Sequence, residues 1–157
     1  MGATSIKVGN TYNDVYFDIN ININYKAPTS LTIKDSRSDY QPTYYVNETY
    51  TFNVTPSNNS DPAIEVYLGT NQDEFASIES VSSDEEARKN GKATFTIKTI
   101  KATDKLDLIV KSKANNSITS TITIKVQSPL DLSTISGNYY YSGDLSNYIK
   151  LKSDGTG

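Results

Sequence analysis

The side chains with most chemistry to offer in this 157-residue sequence are its 12 tyrosines and 18 carboxylates. An aromatic face packs on sugar C–H groups while its hydroxyl hydrogen-bonds, so Tyr139, Tyr140, Tyr141 and nearby Tyr148 could form a glycan-stacking platform. Alternating tyrosines also fill the face of a sheet, and that packing role is the stronger expectation. Tyr44 and Tyr45, beside Asp39 and Tyr40, pose the same choice and take the same answer. The acids Asp73, Glu74, Asp84, Glu85 and Glu86 could supply oxygen ligands to Ca²⁺, which takes six to eight of them. They fit no Asp-x-Asp-x-Asp-Gly loop, so a solvated acidic face is expected instead. Glycoside hydrolysis needs two carboxyl groups across a cleft, and no cleft is evident in the pattern. The sequence has no His and no Cys, which removes imidazole bases, thiolate nucleophiles, disulfides and the usual Zn²⁺ ligands. No catalytic residue, cofactor or metal is therefore expected.

Charge narrows the partners. Fifteen basic against eighteen acidic residues leave a net charge of −3, so no basic field exists to hold nucleic acid or anionic lipid. No stretch approaches the roughly 20 apolar residues that span a bilayer, and no apolar segment follows the N-terminus to mark export. The expectation is a monomer that neither inserts in membranes nor binds nucleic acid.

The residues that must position any site are strand formers. Ser, Thr and Asn number 19, 18 and 15; they compete with the backbone inside helices, whereas Thr suits strands. Period-two alternation recurs, as in Tyr50, Phe52 and Val54 against Thr49, Thr51 and Asn53. The same rule gives strands near 30–35, 47–55, 63–68, 92–99, 105–113 and 117–126, with weaker pairing at 44–46 and 76–78. Leu31, Ile33, Tyr50, Phe52, Val54, Ile64, Val66, Phe95, Ile97, Leu108, Val110, Ile122 and Ile124 form the expected core. Helical periodicity appears only over 82–89, where a Ser cap, acids first and bases last suggest one exposed turn. Six or seven short strands between turn signals predict an all-β, immunoglobulin-like sandwich with extra hairpin segments at both ends.

An internal repeat suggests domain limits. Sliding the N-terminus by 103 residues places Val15, Ile19, Ile21 and Ile23 on Ile118, Ile122, Ile124 and Val126, and Ile6 on Ile109. Residues 3–26 then read as the terminal hairpin of a preceding repeat or as docked extra strands, 27–127 as the sandwich, and 128–157 as the start of a further β domain. Lys26-Ala27-Pro28 and Gln127-Ser128-Pro129 mark the junctions, since Pro cannot donate into a ladder.

Particular words carry a resemblance. Pro28-Thr29-Ser30-Leu31-Thr32-Ile33, the run Tyr45 to Asn58, Phe75-Ala76-Ser77-Ile78, Gly91-Lys92-Ala93 and Ile118 to Val126 resemble the successive strands of bacterial immunoglobulin-like domains of group 2, as in intimin- and invasin-like surface proteins. The sequence departs from that pattern at Asn47, where Gly is usual, at Tyr67, where Trp is common, and in a long acidic insert at 79–90. Ser136 to Tyr141 and Tyr148 to Gly157 resemble the opening hairpin of a lipocalin-like barrel.

The resemblance implies a non-catalytic module of a secreted or cell-surface bacterial protein, acting as stalk, spacer or adhesion domain. Its partners would be neighbouring domains of the same polypeptide and, in adhesion, a glycan or a host or cell-surface protein. An accessory carbohydrate-binding module of a larger secreted enzyme, with the 139–148 tyrosines as platform, is the alternative. Lys–Asn isopeptide bonds occur in related surface domains, and Lys34 or Lys105 with Asn53 could be aligned for one. Both residue types are too common here for that pairing to be expected. The sequons headed by Asn47, Asn53, Asn58 and Asn115 likewise follow from composition, and glycosylation is not predicted.

Overall fold

Alternating apolar and polar residues build two four-stranded sheets around one apolar layer. The computed structural model describes the chain apart from residues 1, 11, 13, 14, 24, 38–41, 131–135, 142, 143, 153, 155 and 157, and leaves aside the side chains of 2–5, 10, 15, 21–23, 140, 141 and 144–148. Asp39 and Tyr40 thus lie outside the described residues. The chain divides into two compact units, 1–127 and 128–157.

In the first unit β1 (Gly2–Asn10) and β2 (Val15–Ile23) form a separate hairpin. There follow β3 (Leu31–Asp35), β4 (Tyr44–Tyr45), β5 (Thr49–Pro56), β6 (Ile64–Leu68), β7 (Ala76–Val81), α1 (Asp84–Asn90), β8 (Ala93–Thr99), β9 (Thr103–Ser112) and β10 (Thr119–Gln127). Sheet order is β3-β5-β8-β7 against β4-β10-β9-β6, antiparallel except that β4 runs parallel to the end of β10. These are the ABED and CFG sheets of an immunoglobulin sandwich, with β4 added beside the last strand. The second unit is the hairpin β11 (Gly137–Tyr141) and β12 (Asp144–Leu151).

The core lies between the sheets. Phe52, Val54, Ile97, Leu106, Leu108 and Val110 are fully buried, and Phe52 stacks on Phe95 with centroids 5.1 Å apart. Ile33, Val66 and Ile122 only partly close the layer. Tyr44, Leu106 and Val126 join the core without having been expected there. The expected exposed turn is instead the seven-residue helix α1, which buries Ala87 in the core. Ser83 caps it by accepting from the Glu86 N–H at 3.2 Å, and Gly91 ends it at φ 68°, a left-handed conformation that costs glycine nothing.

Two of the residues that depart from the resembled pattern find their reasons here. Asn47 has φ 64°, and Asn is among the few residues that tolerate the left-handed region where glycine is otherwise used. Tyr67 is exposed and stays out of the core, its hydroxyl donating to Glu65 at 2.6 Å. The acidic insert becomes the end of β7 and the whole of α1.

Candidate functional site

The tyrosine segment lies in the hairpin β11–β12. Register sets Tyr139 opposite Ile149 and Tyr140 opposite Tyr148. Because faces alternate along a strand, adjacent positions 139 and 140 belong to opposite faces. Position 139 is thus beside Ile149 and position 140 beside 148. Tyr139 is about half exposed.

Tyr44 packs inward. It is buried between Tyr50, whose ring meets it edge-on at 4.9 Å, and Phe52, stacked at 6.1 Å. Just after β3 the chain bends so that Asp35 accepts from the Arg37 backbone N–H at 2.8 Å, and the Arg37 side chain reaches back to the same carboxylate at 2.7 Å. The guanidinium lies 4.8 Å from the Tyr44 ring centre and 4.5 Å from that of Tyr50, within cation–π range. Its Nη1 donates to the Thr43 carbonyl at 3.1 Å. Burial works to raise the Asp35 pKa, but the Arg37 hydrogen bonds outweigh it and the net shift is downward. Burial, seconded by the bond to Asp35, pushes the Tyr44 phenol well above its ordinary range. The cluster thus keeps Asp35 charged and Tyr44 neutral, which suits a structural clasp. Its sequence signal is the Asp35-x-Arg37 spacing across a bend, missed because the two aromatic rings come from β4 and β5.

A second ion pair joins buried Asp61 to the partly exposed Arg88 of α1 through two 3.0 Å hydrogen bonds. Arg88 also lies 4.1 Å from the Tyr25 ring centre, and the Asp61 N–H donates to the Lys26 carbonyl at 2.8 Å. The segment leaving β2 is thereby pinned to the sandwich. Thr99 forms a third buried polar junction: its hydroxyl lies 2.5 Å from the Tyr45 carbonyl oxygen and accepts from the Glu48 N–H at 3.2 Å.

Two open grooves flank Lys125. One of about 470 Å³ is lined by residues including Pro42, Tyr44, Ile122 and Gln127, the other of about 420 Å³ by Thr103, Asp104 and their neighbours. Lys125 pairs with Asp104 at 2.7 Å, and Asp107 takes Lys105 at 3.1 Å and the Thr123 hydroxyl at 2.6 Å. Hydrogen bonds from Lys125 to Asp104 and from Thr123 to Asp107 lower both carboxyl pKa values. A general acid needs the opposite shift, so these carboxyls are suited to pairing with cations rather than to donating protons.

The candidate Ca²⁺ ligands scatter. Glu74 pairs with Lys101 and Asp84 with Lys113, each at 2.7 Å, while Glu85 and Glu86 sit in the first turn of α1. Among the described residues no three acids converge. Lys34 and Asn53 are register partners on β3 and β5, with Lys34 exposed on the outer face.

No protein-family model matches the chain, and no curated protein matches it. Among solved structures it is similar to the Escherichia coli adhesin FdeC, with TM-score 0.51 and 14% identity over 82% of this chain. The match covers 41% of the adhesin structure, so this chain spans about two-fifths of it. The S-layer protein rSbsC(31-844) gives TM-score 0.47 at 14% identity, covering 98% of this chain and 20% of that one. SbsC domains 4 and 5 give 0.40 at 17%, covering 79% and 65% respectively. At such identity the likeness to the adhesin is one of fold.

Proposed function

We propose that this chain is a non-catalytic, load-bearing module of a bacterial cell-surface or secreted protein, serving as stalk or spacer within an adhesive assembly. The observation that carries the reading is the parallel pairing of β4 with the end of β10, Tyr44 beside Val126 and Tyr45 beside Gln127, reinforced by the Val46 N–H donating to the Gln127 carbonyl at 3.0 Å. Tension applied at residues 27 and 127 would load these bonds together in shear instead of opening them one by one. The Thr99 junction holds β4 to β8 at the same end. The fold shared with a surface adhesin supports the extracellular placement.

Force spectroscopy with handles at residues 27 and 127 tests the proposal. The expected trace is a single all-or-none event releasing on the order of 30 nm, since an extended chain spans about 3.3–3.6 Å per residue. Gradual yielding at the lowest measurable force would refute a load-bearing role. The carbohydrate-binding alternative has its own test: under the stalk reading, Tyr139→Ala with Tyr141→Ala should leave glycan retention unchanged.

A further inference from the structure

The hairpin β1–β2 is amphipathic. Register pairs Ile6 with Ile19 and Val8 with Phe17, so these four share one face, while Lys7 with Asp18 and Gly9 with Tyr16 share the other. The Tyr16 ring lies across Gly9, where an added Cβ would sit 2.1 Å from Cδ1, so a side chain at position 9 would displace the ring. The apolar face is left bare: Ile6, Val8 and Ile19 are half exposed and Phe17 is 70% exposed. A contiguous patch of this kind marks an interaction surface, and two strands alone are marginal in water.

The molecule itself shows what covers such a face. In β9–β10 the pair Leu108–Ile122 corresponds to Ile6–Ile19, Leu106–Ile124 to Thr4–Ile21, and Val110–Ser120 to Val8–Phe17. Register makes Leu108, not Ile109, the counterpart of Ile6, because the turn between β9 and β10 is one residue longer. Leu106, Leu108, Val110 and Ile124 are buried in the core shared with Phe52, Phe95 and Ile97 of the opposite sheet.

We infer that β1–β2 is the closing hairpin of a second immunoglobulin-like sandwich, and that its Ile6, Val8, Phe17 and Ile19 face docks a sheet of the β3-β5-β8-β7 type. That sheet would lie N-terminal to β1, because β9–β10 complete their own sandwich from its C-terminal side. The Tyr25–Arg88 contact and the Lys26 carbonyl would then form the joint between two successive sandwiches. The inference stands apart from the surface role, since it concerns only which surface the hairpin was built to meet.

Amide hydrogen exchange by NMR tests it in two chains: the 157-residue protein, and the same protein extended at its N-terminus by a second copy of residues 28–102. The extension should slow exchange at Ile6, Val8, Phe17 and Ile19 by about 100-fold or more, as burial in a cooperative unit does. Phe17→Asp with Ile19→Asn should abolish the gain while leaving the β9–β10 amides unchanged. A control in which residues 2–23 of the extended chain are replaced by a second copy of 103–127 reports whether the added strands fold. Protection in the control but not in the hairpin chain would overturn the inference. So would protection already present in the unextended protein, whether as a monomer or, by sedimentation, as a dimer in which a second copy covers the face.

Discussion

Replacing Asp35 by Asn keeps the shape of the clasp near the start of the sandwich and removes its charge. Asp35 has a side chain 8% exposed and accepts from the Arg37 backbone and guanidinium, while Arg37 itself is 33% exposed and bridges to Tyr44 and Tyr50. Hydrogen bonds to a charged partner contribute about 1.5–3 kcal/mol, and solvent around the guanidinium screens the pair toward the lower end. A loss of about 1.5 kcal/mol corresponds to a Tm lower by roughly 6–12 °C in a domain near 100 residues. Circular-dichroism melts and denaturant titrations of wild type and Asp35→Asn at pH 7 measure it. The pH dependence has a definite sign. With the folded pKa below the ordinary 3.8, the contribution is fully present above that value and is lost as pH falls through the lower folded value. The two proteins should therefore differ most near neutrality and converge only in strong acid, below the ordinary carboxylate range. An unchanged Tm at pH 7, or a gap that persists undiminished in acid, would show that the carboxylate charge does not hold this corner.

Phe52→Ala removes one of the two stacked rings between the sheets and should cost about 3–5 kcal/mol, read as a fall in denaturant midpoint without a change in m-value. Thr99→Val preserves shape but strands the Tyr45 carbonyl and the Glu48 N–H; a loss of about 1–3 kcal/mol is expected, with faster exchange of the Glu48 amide as the local signature. Arg88→Ala leaves the Asp61 carboxylate, whose side chain is 4% exposed, without its cation and frees Tyr25. It should destabilise by about 2–4 kcal/mol, short of a fully buried pair because Arg88 is partly solvated, and should sharpen the Tyr25 resonances. An Arg88→Ala protein as stable as wild type would mean that the pair only decorates the surface.

The strands were legible because alternation is a local signal. Tyr50, Phe52 and Val54, or Ala93, Phe95 and Ile97, declare a buried face from their spacing alone. Pro, Gly and Asn placed the turns to within a few residues, and the absence of His and Cys restricted the chemistry. Strand order and the parallel β4–β10 contact were not legible, because register depends on pairing with residues far along the chain. The Asp35–Arg37–Tyr44–Tyr50 clasp and the Asp61–Arg88–Tyr25 joint were hidden for the same reason, since each gathers residues from separate elements. Composition and periodicity determined that this protein is a β-sandwich. Tertiary packing alone decided which polar groups lost their water and had to find partners, because burial belongs to the assembled sheets and to no single segment.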